Sequence, residues 1–153
     1  MDVCCLDDFK IQYEKLRSIK AYKDLQAEII NYFFDKTISD LCNGTRLNGH
    51  SEVPYIKKRL KGSGGYRVYY LLVIKSDCIY LMFLHPKNGP SGASNIDDDF
   101  KAALYKKVLV CIKKQDYYYL RLNDDKKSFV FEHKSESISN AKPIQFKEII
   151  IKS

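Results

Sequence analysis

Tryptophan is absent from this chain, and methionine, histidine, proline and glycine are sparse, at two, three, four and seven residues in 153. So little glycine and proline excludes collagen-like and low-complexity architectures. Acidic residues are outnumbered, 19 against 26 Lys and Arg, which leaves a net charge of +7 and a pI of about 9.1. Long apolar runs are missing as well. Runs such as Tyr69 to Ile74 fall far short of the ~20 residues that cross a bilayer, so no membrane partner is expected. The N-terminus, MDVCCLDDF, is acidic and lacks the basic, apolar and small-residue succession of a signal peptide. Cys4, Cys5, Cys42, Cys78 and Cys111 are odd in number and match no zinc or redox spacing. They read as small hydrophobes in a soluble, reducing, cytoplasmic protein, with Cys4 and Cys5 expected near an exposed terminus.

What is present is an ordinary globular mixture, 45% hydrophobic and 29% charged. A chain of this length buries roughly 70% of its unfolded surface and needs no disulfide or metal staple. The basic surplus favours a polyanionic partner, either nucleic acid or an acidic protein that masks the charge.

Phe9, Ile11 and Tyr13 alternate and read as a strand over Phe9 to Leu16, although Leu16 and Ile19 also fit a helical spacing. Ala21 to Cys42 reads as helix with two offset apolar stripes, Leu25, Ile29, Tyr32, Phe33 and Ile30, Phe34, Ile38, Leu41. They imply burial on two sides or a break near Asp35 that makes a helical hairpin. Asn43-Gly44 supplies a stop. Tyr55 to Leu60, Tyr66 to Ile74 and Cys78 to Leu84 are strand-like runs separated by Lys61-Gly62-Ser63-Gly64-Gly65 and Lys75-Ser76-Asp77, which predicts an antiparallel meander. His85 to Gly92 reads as loop. A helix is expected from Ile96, capped by Ser94 or Asn95, with Asp97 to Asp99 in its first turn, Lys113 and Lys114 in its last, and Phe100, Leu104, Val108, Cys111 and Ile112 as its stripe. Tyr117 to Leu122 and Ser128 to Glu132 form a hairpin, and Ile144 to Ile151 is a last strand-like run. The expected class is α+β: an N-terminal helix or helical hairpin and a later helix packed on a twisted antiparallel sheet, with a C-terminal β-hairpin extension. The expected division is a main domain over 1–114 and an accessory extension over 115–153.

Phosphate-loop, paired-carboxylate, nucleophile-elbow and zinc patterns are all missing. The glycine-rich turn opens a strand, whereas a Walker loop opens a helix. His50, His85 and His133 lie too far apart to share a metal. A basic constellation remains on the meander. Lys57, Lys58, Arg59 and Lys61 lie on and after its first strand, Arg67 starts the second, and Lys87 follows the third. Alternation sends Lys57 and Arg59 to one face and Lys58 to the other. Arg67 sits in an otherwise apolar strand, where a charge needs a partner or a groove. Such cations suit a phosphodiester, because a guanidinium fork matches two phosphate oxygens. RNA carries its own nucleophile, the 2′-hydroxyl, so its cleavage needs charge stabilisation and positioning but no metal or other cofactor. His85 is a candidate general acid or base.

The order Leu47-Asn48-Gly49, Ile56-Lys57-Lys58-Arg59-Leu60, Gly64-Gly65-Tyr66-Arg67-Val68-Tyr69-Tyr70, Ile79-Tyr80-Leu81 and Pro86-Lys87-Asn88, between helices, resembles the RelE/HigB toxins of bacterial type II toxin–antitoxin systems. The likeness runs from Phe9 to Lys114. It implies helices on a twisted sheet and an mRNA interferase that cuts in the ribosomal A site without metal. By motif, Arg67, Lys87 and Arg59 would be catalytic and Lys57 and Lys58 would bind RNA; the residues themselves add His85 as a catalytic candidate and Lys61 as an RNA-binding one. The implied partners are mRNA, the ribosome and an antitoxin of helix-turn-helix type. A ParE-like relative, which shares the fold and poisons gyrase without cutting RNA, is the alternative, as is a non-catalytic RNA- or protein-binding relative. His85 stands where relatives often carry an aromatic residue, and the tail after Gln115 is longer than the family's compact form.

Overall fold

Val3, Cys4, Cys5 and Leu6 are apolar without alternation, the pattern of a strand covered on both faces, and the first three of them lie in β1 (Asp2–Cys5), inside the sheet. There follow α1 (Asp7–Arg17), α2 (Leu25–Phe33), α3 (Ile38–Leu41), β2 (Thr45–Arg46), β3 (Tyr55–Leu60), β4 (Tyr66–Val73), β5 (Cys78–Pro86), α4 (Asp98–Lys114), β6 (Tyr118–Leu122) and β7 (Phe129–His133). This computed structural model describes residues 1–62, 64–87 and 96–135. Its architecture is α+β, with one seven-stranded sheet in the order β2-β3-β4-β5-β1-β6-β7.

The β3–β4–β5 meander is antiparallel, as expected. The whole sheet is not. β1 runs parallel to β5, pairing Val3 with Ile79 and Cys5 with Leu81, so the sheet is mixed. Cys4 and Cys5 are fully buried, contrary to the expected exposed terminus. Burial pushes both thiols well above the ordinary range and leaves them unreactive. Cys42 is the exposed cysteine.

The segment Phe9 to Leu16 is helix, not strand. Asp7 and Asp8 sit in the first turn of α1 and Lys15 and Arg17 in its last, each complementing the helix dipole. Phe9, Tyr13 and Leu16 face the core, whereas Ile11, which completed the apparent alternation, is 55% exposed. The helical region after Ala21 breaks near Asp35, which takes a left-handed φ of 55°. A capping box between Thr37 and Asp40 then restarts the chain as α3.

α4 begins two residues later than expected. Its cap is Asp97, whose carboxylate accepts from the Phe100 amide at 2.8 Å. Ser94 and Asn95 lie outside the described residues. β6 pairs antiparallel with β1, and Leu120 and Phe129 join the core that α1 builds. The hairpin of the expected extension therefore continues the sheet of the main domain. The run Ile144 to Ile151 lies outside the described residues.

Two cores follow from the period-two alternation of the strands. On one face Ile56, Tyr66, Val68, Tyr70, Leu72 and Ile79 pack under α1, α2 and α3. On the other, Tyr55, Tyr69, Leu71, Val73 and Tyr80 pack under Leu104, Val108 and Ile112 of α4. Among the described residues no helix is long and apolar enough to cross a membrane.

Candidate functional site

Alternation along β3 and β4 puts Lys57, Arg59, Arg67 and Tyr69 on the sheet face that α4 packs against. The register aligns them in rows. Arg59 faces Arg67, which faces His85 across three strands, and Lys57 faces Tyr69, which faces Phe83. Like charges directly opposite one another on a sheet cost stability. Among the described residues no carboxylate forms an ion pair with Lys57, Arg59, Arg67 or Lys87. The Nε of Arg67 is buried and has no hydrogen-bond partner there. A cationic row that no described carboxylate neutralises is suited to an external anion.

The glycine-rich turn closes this end of the sheet. Gly65 has φ +88°, and a Cβ built on it would lie 3.2 Å from Arg59 Nε, so the missing side chain lets the Arg59 guanidinium lie across the turn. Gly62 has φ +115°, and its Cβ would lie 2.7 Å from the Tyr66 ring and 2.9 Å from the Asp24 carboxylate. That close approach belongs to an anchor, in which the Tyr66 hydroxyl donates to Asp24 Oδ1 at 2.6 Å and ties the turn to the start of α2. The Lys87 amide donates to Gly65 O at 3.0 Å, which brings Lys87 to the same end as Arg59 and Arg67.

Lys57 and His85 register the local field. Burial lowers the Lys57 pKa, and the charges of Lys101 and Arg67 lower it further. Burial likewise holds His85 below its ordinary value, with Arg67 and Lys57 adding to the shift against a raising contact with Pro86 O. The His85 imidazole is 3% exposed. Its Nδ1 lies 3.0 Å from Pro86 O and its Nε2 3.4 Å from the Tyr69 hydroxyl, on whose ring it stacks. A carbonyl only accepts, so the network assigns the proton to Nδ1 and the acceptor role to Nε2. The ring is neutral, engaged at both nitrogens and covered. That is the geometry of a positioning group beneath the row, at the residue where the sequence offers a general acid or base.

The remaining expected residues separate. Lys58 lies on the opposite face, with its ammonium 5.4 Å from the centre of the Tyr32 ring. Lys61 is exposed and lines a hollow of about 580 Å³ with Arg59 and the glycine turn. Lys101 carries no distinguishing sequence signal, because on the polar side of α4 nothing in the spacing sets it apart from its neighbours. Its backbone carbonyl accepts the Tyr55 hydroxyl at 2.9 Å, which fastens the first turns of α4 beside Lys57. Phe83 gives no such signal either. It packs on Phe100 at 4.9 Å and joins α4 to the floor of the row. Among the described residues no three His, Cys, Asp or Glu side chains converge. No protein-family model matches the chain, and no curated protein matches it in sequence.

Proposed function

We propose that the row Lys57, Arg59, Arg67, with Lys87 at its end, holds an RNA phosphodiester, and that the protein acts as a RelE/HigB-like mRNA interferase at the ribosome. One observation carries the reading: two arginines directly opposed across β3 and β4, with no carboxylate paired to either among the described residues. The resemblance of the Gly64 to Tyr70 and Pro86-Lys87-Asn88 motifs adds the family. The long α4 on one face of the sheet and shorter helices on the other are in keeping with it.

In this reading the 2′-oxygen of the substrate attacks the adjacent phosphorus and the bond from phosphorus to the 5′-oxygen breaks. The products are a 2′,3′-cyclic phosphate and a 5′-hydroxyl, and the proton lost from the 2′-oxygen is balanced by one gained at the 5′-oxygen. Arg67 and Arg59 stabilise the extra phosphorane charge, and such preorganised charge stabilisation is the main source of rate enhancement without a metal. Lys57 accepts the proton in this reading; burial and the charges of Lys101 and Arg67 lower its pKa, which brings the amine nearer to a base. His85 holds Tyr69 and the β4–β5 edge in place. Lys61 serves the surface beside the row and Lys58 the opposite face, where an antitoxin or ribosomal RNA would pass.

A second reading, RNA binding without cleavage, is favoured by the covered state of His85, which leaves proton transfer to Lys57. Cell-free translation of a defined mRNA separates the two, with cuts mapped by primer extension. Ribosome-dependent cuts that vanish in Arg67→Ala are the expected result. Salt-sensitive RNA binding with intact mRNA selects the second reading. Undisturbed translation without RNA binding removes both and turns attention to a ParE-like action on gyrase.

A further inference from the structure

The cationic row continues off the sheet. Lys101, whose side chain is 16% exposed, lies close enough to Lys57 for its charge to depress it. Lys101 also lines a pocket of about 340 Å³ with Leu47, Asn48, Tyr55 and Tyr105, at the small end of the range for ligand sites. Tyr55 precedes Lys57 by two residues on the same strand face, about 7 Å away at ordinary strand rise. Pocket and row are therefore within the span of one nucleotide.

The pocket is preformed. Tyr55 is held by its hydroxyl on Lys101 O at 2.9 Å, and its ring is stacked on Tyr105 at 5.5 Å with 20° between the planes. The Asn48 side chain is locked at both ends, donating to Val53 O at 2.7 Å and accepting from the Tyr55 amide at 3.0 Å. At the rim Lys101 Nζ and the exposed Asp98 carboxylate lie 3.6 Å apart, a donor and an acceptor side by side for the edge of a base. Rigid aromatic walls with a donor and an acceptor at the rim are the chemistry of a single-stranded RNA base subsite.

We infer that the pocket between the β2–β3 loop and α4 takes the nucleobase adjoining the phosphate held by Lys57 and Arg67, with Tyr105 as its stacking surface. This rests on the phosphodiester reading above. It adds base recognition, which that reading does not contain.

The test is fluorescence anisotropy with a labelled short single-stranded RNA and a series carrying one abasic site at each position in turn. Wild type is compared with Tyr105→Ala, Tyr105→Phe and Arg67→Met, each checked for cooperative unfolding. One abasic position should weaken wild-type binding about tenfold, in line with the loss of one base–aromatic stack. Tyr105→Ala should bind the parent RNA about tenfold more weakly and no longer sense that position, while Tyr105→Phe behaves as wild type. A flat abasic series in wild type, with Arg67→Met still weakened, overturns the base subsite and leaves the phosphate reading standing. The base subsite is equally overturned if Tyr105→Ala folds and binds undiminished. Wild type that binds no RNA overturns both.

Discussion

The stability of this protein should fall between pH 7 and pH 5, and His85 should be the cause. The folded state keeps the imidazole uncharged, because it is buried, donates from Nδ1 to Pro86 O, and lies beside Arg67 and Lys57. The unfolded chain titrates near the ordinary value of about 6.5. Below that pH the unfolded state binds a proton that the folded state refuses. The contribution of His85 is thus complete above the unfolded pKa and is lost as pH falls beneath it, at no more than about 1.4 kcal/mol per unit. A fold that stays unprotonated to pH 5 would lose about 2 kcal/mol in all. Other shifted groups act elsewhere. The Asp40 carboxylate, held down by its Thr37 contacts, matters only in the carboxylate range, and the Met1 amine, raised by Asp77, only on the alkaline side. The chain has no tryptophan, so urea unfolding is best followed by far-ultraviolet circular dichroism, at half-unit pH steps. His85→Asn retains a donor for Pro86 O and cannot acquire a charge at these pH values. It should be less stable at pH 7 but lose the slope. A flat wild-type profile, or a slope shared by the variant, would refute the assignment.

Three further outcomes follow from the packing. Tyr66→Phe removes the 2.6 Å bond to the Asp24 carboxylate and should cost about 1.5–3 kcal/mol in urea unfolding, while leaving RNA affinity within a few-fold. Gly65→Ala forces an alanine to φ +88° with its Cβ 3.2 Å from Arg59 Nε; it should cost about 1–3 kcal/mol and, unlike Tyr66→Phe, weaken RNA binding by displacing Arg59. Deleting residues 1–6 removes β1 from between β5 and β6, and the product should lack a cooperative urea transition. A sharp transition would show the meander and the hairpin to be independent units.

Local chemistry makes much of the fold legible. Glycine turns and clean apolar runs mark β3, β4 and β5 to within two residues, and the aspartates and lysines at its two ends mark α4. Short buried elements are harder to read. β1 spans four residues without alternation, and nothing in them announces a parallel partner 76 residues away; the pairing of Asp2 with Cys78 is a tertiary fact. α1 is obscured because Ile11 is apolar yet exposed, so both periods fit until burial chooses between them. The cationic row can be foreseen from strand parity, because Lys57, Arg59 and Arg67 sit on two strands joined by one turn. Lys101 cannot, since α4 reaches Lys57 only after the chain has crossed to the other face. His85 falls in the right row by sequence, but its burial depends on Tyr69 and Phe83, whose positions the sequence leaves open.

Salt dependence of RNA binding tests the anion site most directly. Each phosphate contact to a single strand contributes about −0.7 to the slope of log affinity against log salt. The row holds one phosphate, so Arg59→Met and Arg67→Met should each remove no more than that amount, and the triple variant with Lys57→Met about 0.7 in all. Lys113→Met, an exposed lysine in the last turn of α4, serves as the control and should change the slope little. A triple variant that keeps the wild-type slope, or a control that loses as much as Arg67→Met, would contradict a phosphate site in the row.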